Sequence, residues 1–98
     1  MKTEHLILVQ EFITHHEIEL SFIHTLHESG LIEIIIIEKN QYISKDQISD
    51  LEKMIRLHYE LDINIEGIEA ITQLVKRVDT MREELIVLKN RLKLYESD

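Results

Sequence analysis

The 98-residue sequence has no cysteine, no proline, no tryptophan and only two glycines. Without cysteine there can be no disulfide, no thiolate metal ligand and no cysteine nucleophile. The absence of proline and the shortage of glycine suit a mostly helical chain with short connections. Apolar runs stop at four residues, as in Ile34–Ile37, far short of the roughly 20 that span a bilayer. The opening goes from Lys2 directly to Glu4 and His5, with no apolar stretch or small-residue cleavage site, so a cytoplasmic location is expected. Positive charge is also scarce. Residues 1–44 hold Lys2 and Lys39 against Glu4, Glu11, Glu17, Glu19, Glu28, Glu33 and Glu38, and the net charge of the chain is −8. Non-specific nucleic-acid affinity comes mainly from Lys and Arg neutralising phosphates, so this balance points instead to a basic protein surface as partner.

No Gly-rich phosphate loop, nucleophile elbow or HExxH motif is present, which argues against an enzyme and against a cofactor. His24 and His27 share a helix face at i, i+3, as two metal ligands could, but no third ligand follows at a recognisable spacing. His15 and His16 are adjacent and point to different sides. The six histidines therefore read as polar or half-buried side chains, with no metal site.

What is present is periodic. Val9, Phe12 and Ile13 predict a short helix over residues 9–16, and Leu20, Phe22, Ile23 and Leu26 a second over residues 19–29, stopped by Gly30 as C-terminal cap. Together they make a helix-turn-helix. The β-branched run 31–37, the polar turn Glu38-Lys39-Asn40-Gln41 and Tyr42-Ile43 predict a β-hairpin wing. Its consecutive isoleucines put apolar side chains on both faces. Ser44-Lys45-Asp46-Gln47 has the form of a capping box, Ser44 as N-cap and Gln47 at N3. A third helix follows to Glu60, with Ile48, Leu51, Met54, Ile55 and Tyr59 on one face.

From Asn64, a favoured N-cap, to Tyr95 the residues Ile71, Leu74, Val78, Met81, Leu85, Leu88, Leu92 and Tyr95 recur at alternating spacings of three and four. This is an a/d heptad seam on one long helix, and a seam left in water needs a partner. The first part, Ile68 to Leu74, is expected to pack on the head, because Ile68 and Val75 widen the apolar set there. The distal part is expected to form a homodimer through Val78, Met81, Leu85, Leu88, Leu92 and Tyr95, flanked by Glu83, Glu84, Lys89 and Arg91. The predicted organisation is a head of residues 1–63 and a dimerisation helix of residues 64–98 in one structural domain.

The order helix-turn-helix, wing, third helix and long helix resembles the MerR-like winged helix-turn-helix domains. The run Arg56-Leu57-His58-Tyr59-Glu60-Leu61-Asp62-Ile63-Asn64-Ile65-Glu66-Gly67-Ile68-Glu69-Ala70-Ile71 is similar to the junction of one branch of them, the CbpM chaperone modulators, in which R-L-x-x-E-L leads into a helix opened by G-I. Weaker likeness covers Gln10 to Leu31. The resemblance implies a mostly α fold and a protein that binds the J-domain of a DnaJ/CbpA-type co-chaperone and inhibits it. It also implies a basic partner, since J-domains carry a basic helix. On charge and exposure, the candidate contacts are Glu17, Glu19, Glu28, Asp46 and Asp50. A MerR-type DNA-binding regulator is the alternative. That reading calls for Lys and Arg on the second helix, where Glu19, His24, His27 and Glu28 stand instead.

Overall fold

A computed structural model describes residues 5–96. In chain order it has strand β1 (Leu6–Leu8), helices α1 (Val9–His16) and α2 (Leu20–Glu28), strands β2 (Ile35–Ile37) and β3 (Asn40–Ser44), a 3₁₀ turn (Lys45–Gln47), and helices α3 (Ile48–Tyr59) and α4 (Ile65–Glu96). The expected fold class holds: mostly helical, a helix-turn-helix with a small hairpin wing and a long C-terminal helix. The chain divides into two compact units, Met1–Ile68 and Glu69–Asp98.

In the first unit the apolar spacing of each helix delivers its core residues: Val9, Phe12 and Ile13 from α1, Phe22, Ile23 and Leu26 from α2, Leu51 and Met54 from α3. Ile32, Ile43 and Ile68 complete the buried set. Both helices of the helix-turn-helix end in a Schellman motif. After α2, Gly30 takes φ +79°, and the N–H groups of Gly30 and Leu31 donate to the carbonyls of His27 and Leu26 at 3.0 and 2.9 Å. After α1 the same pattern joins Glu17 to Thr14 and Ile18 to Ile13, but the left-handed position is held by Glu17 at φ 55°, ψ 50°.

The sheet exceeds the expected hairpin. Its order is β1-β3-β2, all antiparallel, and the apolar opening Leu6–Leu8 pairs with β3 in the register Leu6↔Ser44, Ile7↔Ile43, Leu8↔Tyr42. Three residues are too few to show an alternation, so this strand is set by its partner. The wing is shorter and tighter than expected. Residues 31–34 lie outside β2, Ile37 pairs with Asn40, and the turn is the two residues Glu38 and Lys39, at φ 50° and 71°. Two positive φ values in a two-residue loop match the right-handed strand twist. Ile36 remains 66% exposed on the edge strand.

The capping box does not form. Ser44 is held in the ladder opposite Leu6 and makes no side-chain cap bond, and α3 begins only at Ile48. Gln47 instead turns its amide to the connection before β2: its Oε1 accepts from the Glu33 N–H at 2.7 Å and its Nε2 donates to the Glu33 carbonyl at 3.0 Å. Those two backbone groups have no ladder partner, so the Gln47 amide satisfies more there than at a helix end.

The cap at Asn64 is present. Its Oδ1 accepts from the Gly67 N–H at 2.8 Å and its carbonyl from Ile68 at 2.9 Å. A Cβ on Gly67 would lie 2.7 Å from Ile63 Cγ2 and 3.1 Å from Asn64 Oδ1. The glycine is thus set by close approach, and Ile63 Cγ2, attached to a stiff β-branched centre, has little room to yield.

Helix α4 is unbroken from Ile65 in the first unit to Glu96 in the second, and its 32 residues make about 48 Å of helix at 1.5 Å per residue. Every distal seam residue is exposed, from 45% at Val78 to 82% at Tyr95. Ile68 is fully buried, and Leu74 and Val75 are 57% and 48% exposed.

Two substitutions at helix ends should have opposite signs. Glu17→Gly removes the steric cost of a left-handed non-glycine residue and should stabilise the protein by about 1 kcal/mol in urea unfolding. Gly67→Ala should destabilise it by about 1–2 kcal/mol in the same measurement, although alanine is the better helix former, because the added methyl meets Ile63.

Candidate functional site

The turn Glu17-Ile18-Glu19 joins α1 to α2 and leaves α2 as the second helix of the helix-turn-helix. Its exposed residues are Leu20, Ser21, His27 and Glu28, and it contains no Lys or Arg. His24 is tied to the wing through Nε2 and Gln41 Oε1 at 3.2 Å. Residues 1–63 hold five basic residues against twelve acidic ones, while residues 64–98 hold six against seven. The negative charge is concentrated in the sequence that builds the winged helix-turn-helix.

Glu17, Glu19, Glu28, Asp46 and Asp50 are all exposed, but they occupy three places. Glu17 and Glu19 flank the α1–α2 turn. Glu28 closes α2 nine residues beyond Glu19, about 13 Å along the axis at helical rise. Asp46 sits in the 3₁₀ turn and Asp50 in the first turn of α3. Glu17 also has a backbone duty as the left-handed residue that ends α1.

Glu19 is the most constrained of the five. It stands at the N-cap of α2 but makes no side-chain cap bond. Its N–H donates instead to Tyr59 Oη at 3.2 Å, and its carboxylate accepts from Ser21 Oγ at 3.4 Å. Beside it the rings of Phe22, His58 and Tyr59 form a cluster. Phe22 stacks on His58 at 4.6 Å, and Tyr59 stands edge-on to both, at 5.3 Å from Phe22 and 4.9 Å from His58. His58 is oriented by its Nδ1–H, which donates to the Ile63 carbonyl at 3.0 Å. Glu19, Ser21, Phe22, Thr25, His58, Tyr59 and Ile65 line a cleft of about 200 Å³. Periodicity alone put Tyr59 on the apolar face of α3. The one signal that could have pointed to the cleft is that a phenol on such a face needs a polar partner, and that partner lies 40 residues away.

Two further histidines, His16 and His27, have polar contacts within the head. His16 stacks on Phe12 at 4.1 Å, donates through Nδ1 to the Phe12 carbonyl at 3.1 Å, and reaches Glu52 of α3 at 3.4 Å. His27 Nδ1 lies 3.4 Å from the Ile32 carbonyl. Among the described residues no group of three His, Asp or Glu side chains is placed to share a metal ion, and no helix is long and apolar enough to cross a membrane.

No curated protein and no solved structure matches the chain. A family model does: that of the MerR HTH family regulatory proteins, over residues 7–90. This match runs from β1 through the helix-turn-helix, the wing and α3 into the distal turns of α4, and with it the chain belongs to the MerR HTH family of regulatory proteins.

Proposed function

We propose that this protein is a non-enzymatic, cytoplasmic chaperone modulator of the CbpM kind. In this reading its acidic winged helix-turn-helix docks on the J-domain of a DnaJ/CbpA-type co-chaperone and inhibits co-chaperone activity. The observation that carries this is the charge of α2. A helix that reads DNA places Arg and Lys toward phosphates and base edges, and here that helix has none, on a head with twelve acidic residues. Complementary charge favours a basic protein surface and speeds encounter with it.

The seam on α4 supports a second part of the reading, a homodimer. Val78, Met81, Leu85, Leu88, Leu92 and Tyr95 are exposed in the single chain, and burying each is worth roughly 1.5–3 kcal/mol. A two-helix pairing would cover them together. The family description favours one alternative, a MerR-type regulator that binds duplex DNA, because a helix-turn-helix is a DNA-reading scaffold in many proteins.

Titration of the J-domain of the co-chaperone from the same cell should give binding that weakens as salt rises, and added protein should suppress J-domain stimulation of Hsp70 ATPase. A labelled DNA duplex at low salt should stay unshifted. Retarded duplex together with no J-domain binding would establish the DNA-binding alternative. Separately, sedimentation should show a dimer for the wild type and a monomer for Leu85→Glu/Leu88→Glu, with helical content falling in the variant as its seam loses its partner.

A further inference from the structure

The cleft beside Glu19 has a chemistry more specific than acidic. Resting on the reading of the head as a docking surface for a basic protein, we propose that the cleft between the start of α2 and the end of α3 receives one arginine side chain of that partner, with Glu19 as its carboxylate and Tyr59 as its aromatic wall.

Four observations converge on a donor-rich planar cation. First, the Glu19 carboxylate is not consumed by the protein. It does not cap α2, its one hydrogen bond is the long contact from Ser21, and among the described residues the single ion-pair contact is His16–Glu52, elsewhere in the head. Second, the hydroxyl protons lining the cleft on α2 are committed: Ser21 donates to Glu19, and Thr25 donates to the Ser21 carbonyl at 2.8 Å. These oxygens have lone pairs left to offer, which suits a guanidinium with five donors and no acceptor. Third, Tyr59 is 42% exposed and is braced by Phe22 and His58, so it offers an aromatic surface held in place before binding. Arginine stacks on such a surface while pairing with a carboxylate, whereas lysine is a compact, strongly hydrated point charge. Fourth, about 200 Å³ falls below the roughly 300–1,000 Å³ of small-molecule pockets but suits a single inserted side chain. An anion is disfavoured because Glu19 stands where it would approach the N–H groups of α2.

The test has two arms on the full chain. In the first, the backbone amides are followed by NMR during titration with N-acetyl-arginine methyl ester and, separately, its uncharged isostere N-acetyl-citrulline methyl ester. Arginine should shift the amides of Glu19, Ser21, Thr25 and Tyr59, and citrulline should not. Glu19→Gln should weaken arginine binding about fivefold, and Tyr59→Leu by a similar factor. Tyr59→Phe, which keeps the ring and serves if the leucine variant unfolds, should retain binding. Equal shifts from both esters, or an arginine affinity unchanged by Glu19→Gln, would overturn the proposal. In the second arm, the J-domain is titrated against the wild type, Glu19→Gln and Glu33→Gln, the last an exposed carboxylate outside the cleft. Loss of about fivefold in Glu19→Gln alone is expected. A wild type that ignores the J-domain yet takes up arginine in the cleft defeats the docking reading and leaves the cleft assignment standing. A wild type that binds the J-domain equally well with and without Glu19 defeats the assignment and leaves the docking reading standing.

Discussion

The first unit depends on the packing of a very small set of side chains. Ile23 and Leu26 of α2, Ile43 of β3, Leu51 of α3 and Ile68 of α4 are fully buried and come from four different elements. No element contributes enough apolar area to be stable alone, and a three-stranded sheet of such short strands needs a packed face to persist. Ile43 anchors the sheet, since it lies opposite Ile7 of β1 in the central strand. Ile68 brings the first turn of α4 into the same core, so the turn at Asp62–Asn64 is held from both sides. His58 holds the Ile63 carbonyl on one side, and Asn64 caps the Gly67 N–H on the other.

That shared core is what lets a cleft exist beside α2. Phe22 is buried under the helix while stacked on His58, and the pair fixes Tyr59 where its hydroxyl meets the Glu19 N–H. The N-terminal end of α2 and the C-terminal end of α3 are therefore registered by aromatic contact, with one hydrogen bond setting the final alignment. A carboxylate placed at the rim of such a surface is more selective than the same charge on an open helix face. Exposed charges alone contribute little, and aromatic faces add directional preference.

A helix-turn-helix scaffold does not dictate a nucleic-acid partner, because the fold supplies positions and the side chains supply chemistry. In this chain α2 presents Leu20, Ser21, His27 and Glu28 to solvent. The wing carries Lys39 at its turn beside Glu38, and the two charges offset. Membership of the MerR HTH family accompanies this architecture.

Much of the architecture could be read from spacing alone. The helix periodicities placed α1, α2 and α3 within a few residues of their observed ends, Gly30 marked a cap, and the heptad run marked α4 as one continuous helix. These features are local, so nearby residues encode them. Three others required distant partners. Leu6–Leu8 is a strand only because β3 pairs with it, and Gln47 leaves its expected cap because the Glu33 backbone lacks a partner. Glu19 acquires a defined surrounding only because Tyr59, far along the chain, lies against it. The amino-acid order by itself thus determined which segments are helical, where they stop, and that the head is acidic. Only the tertiary structure decided which of those acids stands alone on a helix and which faces an aromatic cleft, because contacts between residues tens of positions apart leave no periodic trace in the sequence.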